Sequence, residues 1–252
     1  MELKGKTSKF YEMMKLFCCK ANGESIFNSF TVECDKTVKM KATAFSTYII
    51  NAEYTGLAVV EPGKAVFDSS MIDYFNPGTT FSGDSDLRLV SDETKITIEG
   101  ENNELPFSQI SKPENDASDL LKIDETGKVI TKKGVLGTIF NVNTNDLINV
   151  RNTLKMLSTD FIKMVSDKNK NIINMTVGSY LYDGKERASA TKHIAVTDYT
   201  GDDIDLKLRP IFLDIAQLFS GDINVNTANQ NPVVIHKKTA DYDIRYAISP
   251  LV

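Results

Sequence analysis

The two halves of the chain carry similar helix-like segments in the same order. Residues 7–17 (TSKFYEMMKLF) resemble residues 147–157 (LINVRNTLKML), and residues 71–75 (MIDYF) resemble residues 215–219 (IAQLF). The two pairs recur at nearly the same spacing, and strand-like segments lie between them. Repetition at a fixed spacing is typical of a duplicated structural unit. The sequence therefore predicts two similar domains, an arrangement unlike that of an enzyme built around one cleft.

Hydrophobic periodicity predicts an α+β fold with two helices and several strands in each half. Apolar side chains at helical spacing mark the buried face of each helix, as Phe10, Met14 and Phe17 do in the first. Thr7 or Ser8 is the predicted N-cap of that helix. The predicted helices lie near residues 7–22, 68–76, 144–158 and 210–220. The predicted strands lie near residues 25–57, 87–90, 95–98, 104–110, 138–142, 161–165, 171–177, 188–196, 203–208, 223–227, 232–237 and 242–248.

Between the halves, residues 111–134 are polar and charged and contain only a small apolar island at residues 120–123. A connector of this length without its own structure is uncommon inside a compact domain and indicates a linker or a functional loop. We therefore expect an N-terminal domain over residues 1–110, a connecting loop over residues 111–134 and a C-terminal domain over residues 135–252.

The overall charge argues against a surface that binds nucleic acid everywhere. The net charge is −5 and the isoelectric point is near 5.2, whereas neutralising phosphates requires local Lys and Arg. A protein that separates a basic surface from an acidic one remains compatible with these values. The location of the basic residues therefore matters more than the total.

Basic residues recur on one flank of the predicted helices. Arg151 and Lys155 are four residues apart, hence neighbours on a helix, and point away from buried Val150. Lys15 takes the place of Lys155 in the first half. An ordinary amphipathic helix with a solvated face gives the same pattern, and acidic side chains such as Asp214 lie on the same helices. The pattern alone leaves both interpretations open.

No catalytic or metal-binding constellation is recognisable. The two histidines, His193 and His236, lie in strand-like segments, and neither a nucleophile elbow nor a phosphate-binding glycine loop is present. Three cysteines, Cys18, Cys19 and Cys34, have neither disulfide-framework nor metal-site spacing. We expect a protein that is not an enzyme and needs no cofactor. No apolar run is long enough to cross a bilayer, and no signal peptide is recognisable, which predicts a cytoplasmic protein, or a nuclear one in a eukaryotic host.

The last residues resemble the end of DNA sliding clamps of the proliferating cell nuclear antigen (PCNA) type. Those clamps finish in an apolar strand followed by Ala-Pro, a basic residue and an aliphatic one. Here NPVVI at residues 231–235 and IRYAISPLV at residues 244–252 have that character. LKLR at residues 206–209, followed by a helix and by SGD at residues 220–222, is similar to the matching clamp segment, as are residues 34–53.

Three positions depart from this clamp ending. Ser249 stands where alanine is usual, and Leu251 stands where a basic residue is usual. Ala247 takes a place where some clamps carry an aromatic residue that lines the partner pocket. These differences affect partner recognition more than the fold.

The resemblance implies the DNA-clamp fold, with two similar domains that each pack two helices on β-sheets. Three subunits would close head to tail into a homotrimeric ring whose helices line a hole that holds double-stranded DNA. Such a processivity factor encircles DNA without sequence specificity and tethers DNA polymerase and other replication and repair proteins, and a clamp loader places it on DNA. Backbone-only contacts are weak and salt-sensitive, which permits sliding, and an acidic exterior discourages binding from outside.

The resemblance also suggests which residues carry each role. The DNA-facing candidates are Lys9, Lys15, Lys20, Arg151, Lys155, Lys207 and Arg209. The candidates for a groove that binds short partner peptides under the connector are Thr47, Ile50, Leu121, Ile123, Pro232, Ala247, Ile248, Ser249 and Pro250. Subunits would pair through edge strands near residues 104–110 and within residues 171–193, with Phe107 and Tyr180 as apolar contacts. Two alternatives remain: a clamp-fold subunit acting alone or in a heteromeric ring, and an unrelated enzyme.

Overall fold

The structure is a computed structural model that divides into two compact units. The first comprises Met1–Ser118 and Lys238–Arg245, and the second comprises Asp119–Lys237 and Tyr246–Val252. It describes residues 1–18, 20–21, 24–44, 48–76, 81, 83–101, 103–108, 121–123, 128–131, 134–155 and 159–251, without the side chains of residues 20, 21, 24, 122, 123, 154, 155, 188 and 189. Most of the predicted connector lies outside this description, so the predicted domain limits stay a prediction.

The first unit contains two helices and a set of short strands. Its helices are Thr7–Lys15 (α1) and Ile72–Phe75 (α2), the second preceded by a 3-10 turn at Ser69–Met71. Its strands are Glu2–Lys6 (β1), Lys20–Ala21 (β2), Glu24–Ser25 (β3), Ser29–Cys34 (β4), Val38–Ala44 (β5), Tyr48–Tyr54 (β6), Ala58–Glu61 (β7), Gly63–Asp68 (β8), Asp86–Ser91 (β9), Lys95–Glu99 (β10) and Glu104–Ser108 (β11).

The second unit has the same kinds of element. Its helices are Thr144–Lys155 (α3) and Ile211–Ala216 (α4). Its strands are Lys122–Ile123 (β12), Val129–Thr131 (β13), Gly134–Val135 (β14), Thr138–Asn143 (β15), Phe161–Asp167 (β16), Ile172–Tyr180 (β17), Glu186–Ala195 (β18), Thr197–Thr200 (β19), Asp205–Leu208 (β20), Asp222–Thr227 (β21), Val233–Lys238 (β22) and Tyr242–Ile248 (β23). The first four residues of β23 belong to the first unit.

The two units share one strand topology. In the first unit the strands follow the orders β11-β10-β9-β1-β7 and β8-β4-β5-β6. In the second they follow β23-β22-β21-β15-β19 and β20-β16-β17-β18, which match position by position. The duplication and the α+β class predicted from sequence are therefore confirmed.

Each unit forms its core between helices and one face of its sheets. Strand β5 alternates buried and more exposed residues, as expected when one face packs inward. Helix α1 contacts α2, and Phe10 stacks on Phe75 with ring centroids 5.4 Å apart. In the second unit α3 contacts α4, and Phe219 packs edge-on against Tyr246.

The predicted N-cap of the first helix is wrong, because the cap comes from another loop. Lys6 is the N-cap residue, and it makes no capping bond with its side chain. The Ser8 N–H instead donates to Asp84 Oδ1 at 2.8 Å, and the Thr7 N–H donates to the Ser85 carbonyl at 2.9 Å. A carboxylate at a helix N-terminus satisfies a free donor and suits the helix dipole. The cap is therefore tertiary, which no local motif could reveal.

Part of the predicted connector has structure of its own, contrary to expectation. Strands β12, β13 and β14 pair antiparallel into a small sheet. Leu121 and Val129 are buried, and so is the adjacent Leu136. These apolar side chains anchor the segment, which explains why its polar composition did not prevent pairing.

Arg88 joins three strands of the first unit. Its Nε and Nη2 atoms donate to the two carboxylate oxygens of Glu2 at 2.8 Å each, and Nη1 donates to Glu99 at 2.8 Å. The hydrogen bond from Arg88 is the main cause that lowers the pKa of Glu2 from 4.5 to about 2. Bidentate pairing of this kind holds a carboxylate in its charged form.

We expect Glu2→Gln to destabilise the protein at neutral pH and to lose that effect in acid. A carboxyl whose folded pKa is depressed stabilises the fold above its unfolded pKa, and the contribution disappears as pH falls from about 4.5 through about 2. The urea unfolding midpoints of the parent protein and of Glu2→Gln should therefore converge as the pH falls from about 4.5 to about 2. Glu93→Gln, at an exposed position, is the matched control. A pH-independent difference between Glu2→Gln and the parent would contradict the assignment.

Candidate nucleic-acid interface

The predicted DNA-facing residues lie on or beside the helices of each unit. Lys9 and Lys15 are on α1, Arg151 is on α3, and Lys207 and Arg209 are on or just after β20, which precedes α4. Lys20 and Lys155 lie in β2 and α3, but their side chains are outside the description. For the other five residues, the structure shows what the sequence could not supply, namely whether each cation is paired and with which residue.

Arg151 forms an ion pair with the neighbouring helix. Its Nε atom donates to Asp214 Oδ1 of α4 at 2.6 Å. The Arg151 side chain is 21% exposed and that of Asp214 is 15% exposed. The pair therefore carries no net charge, although the resemblance to sliding clamps places Arg151 in the DNA-facing set.

Lys9 is held in a polar cluster. Its ammonium contacts Asp241 Oδ2 at 2.8 Å and Glu12 Oε2 at 3.3 Å. The hydroxyl of buried Tyr54 donates to the same Glu12 oxygen at 2.9 Å. The bond to Asp241 raises the pKa of Lys9, and burial raises the pKa of Tyr54 well above its ordinary value. Lys9 stays charged, but two carboxylates offset its charge.

Lys207 lies over aromatic rings. Its Nζ atom is 5.0 Å from the ring centroid of Phe161 and 5.8 Å from that of Tyr180. The same atom forms an ion pair with Glu186. The bond to Glu186 raises the pKa of Lys207. The ammonium thus links the end of β17 to β16, β18 and β20 through cation–π and ionic contacts.

Lys15 and Arg209 differ from these three cations. Both are exposed, and neither forms an ion pair with another residue in the described part of the chain. Of the five predicted DNA-facing residues whose side chains are described, these two therefore have the most available charge. A DNA contact remains a prediction for every member of the set.

The predicted partner-binding residues divide by burial. Ile50, Ala247 and Ile248 are almost wholly buried within their own units, and Leu121 is 8% exposed, so these side chains offer a partner little surface. Thr47 and the side chain of Ile123 lie outside the description. The accessible candidates are Pro232, Ser249 and Pro250.

Two contacts organise this surface in the second unit. Thr131 Oγ1 donates to Asn231 Oδ1 at 3.4 Å, which brings β13 beside the loop that contains Pro232. The Leu251 N–H donates to the Lys207 carbonyl at 2.8 Å, so the end of the chain runs beside β20. Val135, which is 48% exposed, was not among the predicted partner-binding residues, although it directly follows the predicted connector.

The predicted subunit contacts lie at sheet ends. Phe107 is on β11, the end strand of its sheet, and its ring packs edge-on against Tyr74 at 4.9 Å. Tyr180 ends β17, next to the end strand β18. The hairpin between them also exposes Leu181 and Tyr182, which the sequence prediction missed. Large apolar side chains beside the turn residues Asp183 and Gly184 were the available signal.

The edges of the matching strands β6 and β18 differ. In the first unit the segment at Lys238–Arg245 lies beside the end of β6, where the Thr55 N–H donates to the Asp241 carbonyl at 2.7 Å. In the second unit β18 ends its sheet, and no other described strand lies on its outer side. β11 likewise ends its sheet. The second unit thus exposes an edge that its counterpart covers.

Solved sliding clamps match the chain along its full length. A putative DNA polymerase III beta subunit from Eubacterium rectale has a TM-score of 0.77 at 16% identity, covering 100% of this chain and 65% of that one. PCNA from Entamoeba histolytica has a TM-score of 0.69 at 11% identity, covering 100% and 98%. A. fulgidus PCNA, solved with the C-terminal region of FEN-1 bound, has a TM-score of 0.72 at 10% identity, covering 100% and 98%.

These similarities concern structure rather than sequence. No protein-family model matches the chain, and no curated protein matches it in sequence. The chain spans 65% of the Eubacterium rectale subunit and 63% of the beta subunit from Borrelia burgdorferi. The fold is that of the DNA sliding clamps, as the resemblance implied.

Within the described ranges, no helix is long and apolar enough to span a membrane, and no cluster of metal-ligating side chains occurs.

Proposed function

We propose that this protein is a DNA sliding clamp, a processivity factor that encircles duplex DNA without reading its sequence and tethers a DNA polymerase and other replication or repair proteins. The observation that supports this most is the match of clamp structures to the whole chain. Two units of identical topology would supply two of the domains of a ring, and three copies would supply six. The protein would act in the compartment that holds the DNA, the cytoplasm or a nucleus.

Edge-strand pairing would close the ring. Within the first unit the start of β23 lies beside β6. Strand β11 occupies the position of β23 in its own sheet, and β18 occupies that of β6. The same pairing between copies would place β11 of one copy against β18 of the next. Such a contact is head to tail, and it produces a closed ring when the rotation between copies closes.

Charge and apolar surface at the two edges support this pairing. Residues 101–108, which include β11, carry Glu101 and Glu104 and no basic residue. Strand β18 carries Arg187 and Lys192 against one glutamate. Opposite charges favour one partner and one orientation over self-pairing of either edge. The exposed aromatic side chains beside both edges would be covered in the same contact.

Weak binding to DNA suits a ring. Topology retains the DNA, so phosphate contacts need only guide it. Lys15 and Arg209 would supply the available positive charge of each copy, and the helix pair of each unit would face the duplex. The acidic net charge of −5 would then belong to the remaining surface.

Partner proteins would dock on the second unit through short peptides. The accessible side chains are those of Val135, Pro232, Pro250 and Leu251, with the sheet of β12, β13 and β14 beside the Asn231 loop. A. fulgidus PCNA carries the C-terminal region of FEN-1. By analogy, peptides from a polymerase or a clamp loader would use an apolar anchor here.

The experiment that tests the proposal combines mass and activity. Light scattering at micromolar concentration should give about three times the 28.0 kDa chain mass. The protein should also raise the processivity of its cognate polymerase on circular primed DNA and lose that effect on DNA with free ends. Stimulation by a single copy, or only with a second kind of subunit, would support the alternative of a monomeric or heteromeric clamp. Failure to bind DNA or to stimulate synthesis would contradict the proposal.

A further inference from the structure

We propose that Asp214 limits the grip of the protein on DNA by competing with phosphate for Arg151. The inference rests on the proposed function and concerns one ion pair between α3 and α4. Arg151 Nε and Asp214 Oδ1 are 2.6 Å apart, and both side chains are mostly covered. A pair shielded from water is less screened than one on the surface, so DNA must displace or share a well-held partner.

The geometry leaves room for sharing. A guanidinium has five N–H donors in a fixed plane, and Arg151 gives its Nε–H to Asp214. Its terminal groups form no ion pair within the described part of the chain. A phosphate approaching the terminal N–H groups of Arg151 would meet donors in the correct geometry. The positive charge of that arginine, however, is already offset by Asp214. Removing the charge of Asp214 should therefore strengthen binding without moving Arg151.

The first unit also offsets a helix cation with acidic side chains. Lys9 on α1 is held by Asp241 and Glu12 at 2.8 and 3.3 Å. Among the predicted DNA-facing residues with described side chains, carboxylates thus offset Lys9 in the first unit and Arg151 in the second, whereas Lys15 and Arg209 are exposed and form no ion pair with another described residue. This division would keep phosphate contacts few, and few contacts favour sliding over tight attachment.

The test compares Asp214→Asn with the parent protein in binding to a short linear duplex, measured by fluorescence anisotropy from 50 to 200 mM salt. Asparagine keeps an oxygen that can accept the Arg151 Nε–H but lacks the negative charge. We expect tighter binding, with the slope of log K against log salt steeper by about 0.9 for each Arg151 that contacts phosphate. The gain in affinity should shrink about threefold over this salt range for each new contact.

Asp146→Asn is the matched control, because Asp146 is an exposed acid in the first turn of α3 and its replacement changes net charge equally. An equal gain in both variants would mean a general charge effect and would overturn the inference. Unchanged or weaker binding by Asp214→Asn would also overturn it, and weaker binding would make Asp214 a positioning residue. Asp214→Ser repeats the measurement if the asparagine variant unfolds. Absence of binding by the parent at 50 mM salt would overturn this inference, because there would be no grip for Asp214 to limit, whereas the proposed function fails only if stimulation of synthesis on circular primed DNA is also absent.

Discussion

Replacing Phe107 by aspartate is expected to convert a three-copy assembly into single copies. In the proposed ring Phe107 lies on the β11 edge that meets β18 of the next copy, beside Tyr74. A carboxylate there would remove apolar surface and add charge to an edge that already carries Glu104. Truncating a central aromatic side chain of an interface costs about 2 kcal/mol or more, roughly 30-fold in each interface. Light scattering should then report a mass near 28.0 kDa.

Side chains should dominate this interface because β11 has few free backbone donors. Pro106 pairs with Thr97 of β10, and proline has no N–H to give. Thr97 and Pro106 must therefore form a non-hydrogen-bonded pair of the antiparallel ladder. In such a pair the backbone nitrogen of Pro106 points away from β10, toward the open edge of the sheet. Within β11 itself, Glu104–Ser108, the open edge then offers only the N–H groups of Glu104 and Ser108. A shorter hydrogen-bond ladder makes assembly depend more on Phe107.

Val60→Asp is the control for the Phe107 variant. Val60 is 47% exposed and lies on β7, the opposite end strand of the same sheet. The Val60→Asp substitution introduces the same charge at an edge that the proposal leaves unpaired, so the mass of the assembly should not change. Thermal melts of both variants would show whether the fold is retained. A trimeric Phe107→Asp protein would disprove pairing at β11.

The repeated helices could be predicted from sequence because burial periodicity is local. The buried stripe of α1 and the start of α4 after Pro210 follow from side-chain spacing and from the fixed φ of proline. Strand order within each unit could be predicted only through the resemblance, since pairing depends on distant segments. The Asp84 cap of α1 is likewise distant in sequence, and no local motif marks it.

The candidate site was less predictable, because charge on a helix says nothing about its partner. Arg151 meets Asp214 and Lys9 meets Asp241 only after folding. The burial of Ile50 and Ile248 could be predicted from the sequence more readily. Both lie in strands whose apolar residues pack inward, as strand periodicity indicates, and their contact with a partner stays a prediction.

Removing Lys15 and Arg209 together is expected to weaken DNA binding strongly while leaving the assembly intact. Both side chains are exposed and lack ion-pair partners within the described ranges, so their charge is available to phosphate. Three copies would bring six such cations to the ring, each able to contact a phosphate. Alanine at both positions should lower affinity for duplex DNA on the order of 100-fold at 50 mM salt. The salt slope should flatten by about 0.9 for each phosphate that the double variant no longer neutralises.

The double variant Lys39→Ala, Lys64→Ala is the control that separates the loss of DNA binding at Lys15 and Arg209 from a change in net charge. Both lysines are exposed on strands β5 and β8, away from α1 and α2 in the chain, and the double change removes the same charge. This control should keep most of the affinity and the original salt slope, because its lysines lie on sheets that the proposal turns outward. Clamp mass should be the same in both double variants, since neither touches β11 or β18. Equal decreases in affinity for the two double variants would show that DNA responds to total charge, and the helices would then not be the DNA-facing surface.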